Sequence, residues 1–172
     1  MTREDLLPDF TKAYYRYYDV KEENIEPPFV AEAYFASHNE QYLLIKAAKI
    51  ADIDACEYVY FASEDRLSLD RLNYLCETAW ARGQERITPF YGHKNSDITL
   101  YILADSIDSD AAKAAGSVKK SVSYKHGLYG WSNFRLVTIE CSEGFATYNR
   151  QGRALKKLVG NILKKPYKGE KK

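Results

Sequence analysis

Apolar positions along this chain change period several times, and each change marks the end of an element. Phe10, Tyr14, Tyr17 and Tyr18 fall at helical spacing and predict a first helix from about Leu6 or Asp9 to Tyr18. After the Pro27–Pro28 boundary come three runs rich in β-branched and aromatic residues: FVAEAYFAS (29–37), QYLLIKAAKI (41–50) and CEYVYFAS (56–63). Polar stretches separate them, and SHNE (37–40) is a natural turn, so they predict an antiparallel meander of three strands. Ser68 then caps a helix carrying Leu72, Leu75, Cys76, Ala79 and Trp80, with Gly83 expected at its end. ITLYILAD (98–105) is a continuous apolar run, the pattern of a central strand covered on both faces. An Ala/Lys-rich helix near 109–120 follows, then FRLVTIE as a strand and GRALKKLVGNIL as a last helix with Leu155, Leu158, Val159, Ile162 and Leu163 on one face.

The predicted order is α-β-β-β-α-β-α-β-α. Strands alternating with helices late in the chain call for parallel neighbours, joined to the earlier meander in one mixed sheet. The expectation is an α/β (α+β) fold: a single domain over 1–163, a sheet of about five strands, and helices packed on it. KKPYKGEKK (164–172) reads as a basic tail that frays.

Composition narrows the class without naming a chemistry. A chain of 172 residues with 28% charged and 45% apolar residues has enough apolar surface for a real core, which argues against general disorder. Its apolar runs are too short to span a bilayer, and MTREDLLPDF lacks the apolar stretch of a secretory signal. Cys56, Cys76 and Cys141 are odd in number and scattered, which fits reduced thiols in a cytoplasmic protein better than a disulfide framework.

The charge distribution adds more. Residues 1–112 hold 11 Lys/Arg against 21 Asp/Glu, whereas 113–172 hold 14 against 3. Opposed fields of this kind steer different partners, or the two ends of one molecule to each other in self-association. The plainer reading is that the last elements pack on the acidic part and the charges cancel in space.

The whole chain resembles an uncharacterised bacterial family of unknown function. The residues that carry the likeness are KAYYRYYDV, AEAYF with QYLLIKAAKI and EYVYF, and above all SYKHGLYGWSNFRLVTIE with YNRQGRALKKL. The resemblance implies a single domain end to end and no activity, cofactor or site.

Three candidate sites follow from the residues themselves. Lys125, His126, Gly127, Gly130, Trp131 and Arg135 form an anion-binding candidate, because amides in a glycine turn can approach phosphate and nearby cations add charge. Against that, glycine pairs occur wherever a turn needs positive φ, and the Gly-x-x-Gly loop of RNA-binding modules joins two helices, whereas this one leads into a strand.

The late cations Lys113, Lys119, Lys120, Lys125, Arg135, Arg150, Arg153, Lys156 and Lys157, interleaved with Tyr124, Tyr129, Trp131 and Tyr148, suit single-stranded nucleic acid, an acidic partner protein or an anionic membrane surface. Equally, they suit the solvated face of a core-packed helix. Asp105, Asp108, Asp110 and Glu140 lie near predicted strand ends, where ligands collect in open α/β sheets, yet 108–110 also reads as a helix cap.

The leading functional expectation is a binding or interaction domain, without cofactor or metal. The alternative is a Mg²⁺-dependent, nuclease-like hydrolase that assembles Glu32, Lys46, Asp54 and Glu57 from displaced positions. Its Asp/Glu-x-Lys pattern is missing, and only the order of elements supports it. Tyr42 with Lys46, Ser117 with Lys120, and the dispersed His38, His93 and His126 lack the companion motifs that would give them meaning.

Overall fold

A computed structural model of the chain describes residues 1–36, 55–89 and 95–164. The elements run α1 (Arg3–Lys12), β1 (Asp19–Lys21), β2 (Ala31–Ala36), β3 (Cys56–Leu67), α2 (Leu69–Arg86), β4 (Asn95–Ile107), α3 (Ser109–Ser117), β5 (Ser121–Ser123), β6 (Trp131–Glu140), β7 (Phe145–Tyr148) and α4 (Lys156–Leu163). Among the described residues seven strands form one mixed sheet in the order β1-β2-β3-β4-β6-β5, with β7 also paired to β6. The central three, β3, β4 and β6, are parallel, and every other pairing is antiparallel.

The parallel core forms because β4 is apolar without alternation and must be covered on both sides. Its positions from Ser96 to Ala104 are all buried. On one face α2 and α3 pack over Tyr60, Leu100, Ile102, Phe134 and Leu136. On the other, α1 and α4 pack over Val59, Phe61, Tyr101, Val137 and Ile139. The stripe expected on the last helix lies there, with Val159 and Ile162 buried. Phe61 and Tyr101 stack across the β3–β4 pair, ring centroids 5.3 Å apart and nearly coplanar, an aromatic contact worth about 0.5–1.5 kcal/mol beyond its area. Among the described residues no helix is long and apolar enough to cross a membrane.

Several expectations change. The sheet has seven strands rather than about five, because β1 and β5 are three residues long and β7 four, too short for alternation to show. The predicted meander is replaced by direct antiparallel pairing of β2 with β3, Ala33 opposite Val59. The expected middle strand, 41–50, lies outside the described residues, as do the turn 37–40 and tail residues 165–172.

The first helix starts earlier and stops sooner than its aromatic spacing predicts. Thr2 and Asp5 make a reciprocal cap, and after Lys12 the chain closes into turns, Tyr14 N–H donating to Thr11 O at 3.0 Å. Ser68 caps α2 as expected, accepting from Arg71 N–H at 3.2 Å. Gly83 does not end that helix. It sits within it where α2 closes on β4, and a Cβ there would meet Ile98 Cδ1 at 2.4 Å.

One residue completes the β6 edge. Strand β5 pairs with 131–133 and β7 with 137–140, which leaves a gap between them. Asn149, 1% exposed, fills it with four side-chain hydrogen bonds. Its Oδ1 accepts from Leu136 N–H at 2.9 Å and Gly152 N–H at 2.7 Å. Its Nδ2 donates to Phe134 O at 2.9 Å and Val118 O at 3.1 Å. Gly152 is glycine because a Cβ would lie 2.3 Å from Leu136 O. Asn149→Ala leaves buried donors and acceptors unmatched, each costing about 1–3 kcal/mol. A total loss of about 3–5 kcal/mol is expected in urea unfolding, and a loss under about 1 kcal/mol would refute this role.

Candidate functional site

Chemistry-bearing side chains gather at the N-terminal end of the three parallel strands. The register puts Glu57 of β3 beside Asp97 of β4, and Thr99 of β4 beside Arg135 of β6. All four project toward the α1/α4 face, because side chains alternate along a strand and these share the parity of Val59, Tyr101 and Val137. Arg135 bridges both acids, at 3.3 Å to Glu57 Oε1 and 2.5 Å to Asp97 Oδ2. Glu57 Oε1 also accepts from Thr99 Oγ1 at 2.7 Å, and its Oε2 from the Tyr18 hydroxyl at 2.6 Å. Asn95 Nδ2 donates to Asp97 Oδ2 at 3.2 Å. Behind this group the Tyr14 and Tyr101 hydroxyls share a buried hydrogen bond of 2.8 Å.

The cluster is sheltered: the Arg135, Glu57 and Asp97 side chains are 24%, 14% and 11% exposed. Burial raises the Asp97 carboxyl above its usual range, with Arg135 opposing the shift and the Glu57 charge adding to it. Burial and the Glu57 charge also push the Tyr18 hydroxyl upward, so it stays protonated and donates. Two carboxylates share one guanidinium, and the neutral donors Tyr18, Thr99 and Asn95 supply the remaining hydrogen bonds of a network that joins three strands to the chain leaving α1. Arg135, expected as an anion ligand beside the glycine turn, is thus engaged by protein carboxylates.

The other five candidates lie in and after the β5–β6 turn. Lys125, His126, Gly127 and Gly130 all have positive φ, at 48°, 54°, 90° and 82°. Four amides of the turn bond within it. Gly127 N–H donates to Tyr124 O (3.0 Å), Leu128 to Lys125 O (3.1 Å), Tyr129 to Tyr124 O (3.2 Å) and Gly130 to Gly127 O (3.2 Å). These four amides are therefore engaged within the turn rather than turned toward a ligand. Tyr124 fastens the turn to the body, its hydroxyl 2.7 Å from Gln84 Oε1 and 2.8 Å from Ser132 Oγ. What faces outward is side chain: Lys125 and His126 are exposed, Leu128 is 61% exposed and Trp131 46%, and Lys125 Nζ lies 5.8 Å from the Tyr129 ring centre.

The late cations divide between the two helical layers. Lys113 belongs to α3 on the α2 face, whereas Lys156 and Lys157 belong to α4 on the α1 face. Lys120 pairs with Glu77 at 2.5 Å, and Lys156 lies over the Tyr148 ring.

The strand-end carboxylates have protein partners. Asp105 sits inside β4 rather than at its end, 3.5 Å from the Arg3 guanidinium. Asp108 holds the cap position of α3 without a capping bond, and takes Arg66 at 2.7 and 3.1 Å. Asp110 accepts from Ala111 N–H, and Glu140 from Ile107 N–H. Of the displaced nuclease-like set, Glu32 and Glu57 project from opposite faces of the sheet: Glu32 lies opposite Tyr60 on the α2 face and pairs with Arg86 at 3.2 Å. Lys46 and Asp54 lie outside the described residues, as do His38 and His93. Among the described residues, no three His, Cys, Asp or Glu side chains come together as metal ligands would.

Asp97 and Thr99 did not stand out in the sequence, and Glu57 stood out for another reason. A signal was present: EYVYF, DITLY and RLVTI each begin with a charged residue that the strand then carries into its buried half.

Arg135→Met leaves two sheltered carboxylates without a counter-charge and is expected to cost about 3–5 kcal/mol at neutral pH. A carboxyl whose folded pKa lies above its unfolded value contributes stability that is fully present below the unfolded pKa and is lost as pH rises through the folded pKa. Asp97 already behaves so, and removing Arg135 raises it further. The deficit of the variant against the wild type should therefore shrink as pH falls into the carboxylate range. Urea unfolding of both proteins across pH 4–7 checks this, and a pH-independent deficit would contradict it.

Neither a curated protein nor a solved structure matches the chain. A family model does, over residues 2–161, and that span takes in the ion network, the turn and the Asn149 gap filler. Because the match covers nearly the whole chain, the protein belongs to the family described as a domain of unknown function, DUF8052.

Proposed function

We propose that this domain is a binding module that contacts single-stranded nucleic acid through the β5–β6 turn. The observation that carries the reading is the outer surface of that turn, where Trp131 and Leu128 stand exposed beside Lys125 and His126. Exposed aromatics offer a face on which bases stack, at about 1–3 kcal/mol per base, and cations draw the phosphate backbone.

Conformation supports the reading as well. Lys125 and His126 both occupy the left-handed region, which costs a residue with a side chain about 1–2 kcal/mol. Backbone strain of this kind clusters at binding sites, where the surrounding structure holds it. With four of its amides bonded internally and Tyr124 anchored to Gln84 and Ser132, the turn presents these side chains with little ordering left to complete on binding.

A labelled oligothymidylate followed by fluorescence anisotropy tests the proposal. Binding should weaken steeply with salt, Trp131→Ala should weaken it about 5- to 100-fold, and Lys125→Ala should lower the salt slope by about 0.7. Absence of binding at low salt, or unchanged affinity in Trp131→Ala, would overturn it.

A further inference from the structure

At the opposite edge of the sheet the strands extend past the cover that α2 provides to β3 and β4. Pairing of Asp19 with Tyr34, Lys21 with Glu32, and Tyr34 with Tyr58 sets these five side chains on the α2 face. Arg86, the last residue of α2, leans over them and closes one side. The result is an open cleft of about 370 Å³ lined by Asp19, Lys21, Glu32, Tyr34, Tyr58 and Arg86, within the usual size range of small-ligand sites.

Its walls have a definite chemistry. Tyr34 and Tyr58 stack with centroids 4.8 Å apart and 23° between planes, and Tyr34 is the outer member, 38% exposed. Arg86 lies over the Tyr58 and Tyr60 rings at 5.8 and 5.7 Å, and its carbonyl accepts from the Tyr58 hydroxyl at 2.9 Å. Its guanidinium donates to Glu32 at 3.2 Å, its one side-chain acceptor among the described residues, so further donors of the fork remain. Lys21 stands 3.9 Å from the same carboxylate. Two cations around one sheltered acid leave a local surplus of positive charge at this end of the cleft. Beneath Arg86, the Tyr60 hydroxyl is buried with no hydrogen-bond partner among the described residues.

The other end is acidic. Asp19 lies two residues from Lys21 on the same strand and face, so their backbone positions are about 6.5–7 Å apart, on the scale of a para-substituted benzene ring. We propose that this cleft binds a small aromatic carboxylate bearing a para hydroxyl or amine. The ring stacks on Tyr34, the carboxylate meets Arg86 and Lys21, and the para group donates to Asp19. The site lies on the other face of the sheet from the Glu57–Asp97–Arg135 network and at the other edge from the β5–β6 turn, so it stands or falls independently of the nucleic-acid reading.

The experiment is an NMR titration of the full chain with 4-hydroxybenzoate, run beside 4-hydroxybenzamide, which lacks the charge, and 4-hydroxycyclohexanecarboxylate, which lacks the aromatic ring. Saturable shifts centred on Lys21, Tyr34, Tyr58 and the Arg86 side chain are expected with the first probe, and at least tenfold weaker binding with the other two. Arg86→Gln, at the solvent end of its helix, should weaken 4-hydroxybenzoate at least tenfold, and Tyr34→Leu should do the same from the opposite wall while keeping the surface apolar. Absence of saturable shifts at millimolar probe, equal binding of the benzamide, or full affinity in both variants would overturn the proposal.

Discussion

A sheet covered on both faces can carry charge near its middle only if each charged group finds a partner, and Arg135 is the partner that two acids share. It stands between Glu57 and Asp97, so three neighbouring parallel strands each contribute one member of a single network. A slip of one residue in any of them would turn a charged side chain toward the α2 face and into apolar packing. Pairs of this kind add little net stability over apolar replacements, but they penalise every misregistered arrangement. The Tyr18 hydroxyl on Glu57 extends the same constraint to the chain leaving α1, which fixes how that segment lies on the sheet. The hydroxyl contact between Tyr14 and Tyr101 continues it inward.

The two edges of the sheet are finished differently. At the β6 edge, two short strands meet end to end and Asn149 completes the ladder between them, leaving the β5–β6 turn to project. At the β1 edge, among the described residues, the strands outrun α2, and their side chains face an open cleft under Arg86. The two candidate surfaces thus lie at opposite edges of the sheet.

How far the residues predicted all this depended on length and on parity. The long apolar run of β4, the strand after the glycine turn, the Ser68 cap and the apolar stripe of α4 were legible, because each spans enough residues for its period to show. Strands β1, β5 and β7 were not legible, since three or four residues carry no period and owe their conformation to a neighbour's free edge. Gly83 was misread because a glycine near a helix end resembles a terminator, whereas the reason for it is Ile98 on another element. The anion candidate was half legible: the turn and its exposed cations were, but Arg135 lies four residues into β6 and answers to acids 38 and 78 positions earlier. Register across parallel strands decides such partners, and no local spacing encodes it.

The left-handed residues of the β5–β6 turn carry a further implication. Positions 125 and 126 are places where glycine or asparagine would relax the backbone, yet a lysine and a histidine occupy them. A programme that selected variants for heat resistance alone would replace this pair early, relieving backbone strain while erasing the lysine charge at the tip. The least comfortable stretch of backbone and the most conspicuous surface chemistry of the molecule are the same two residues.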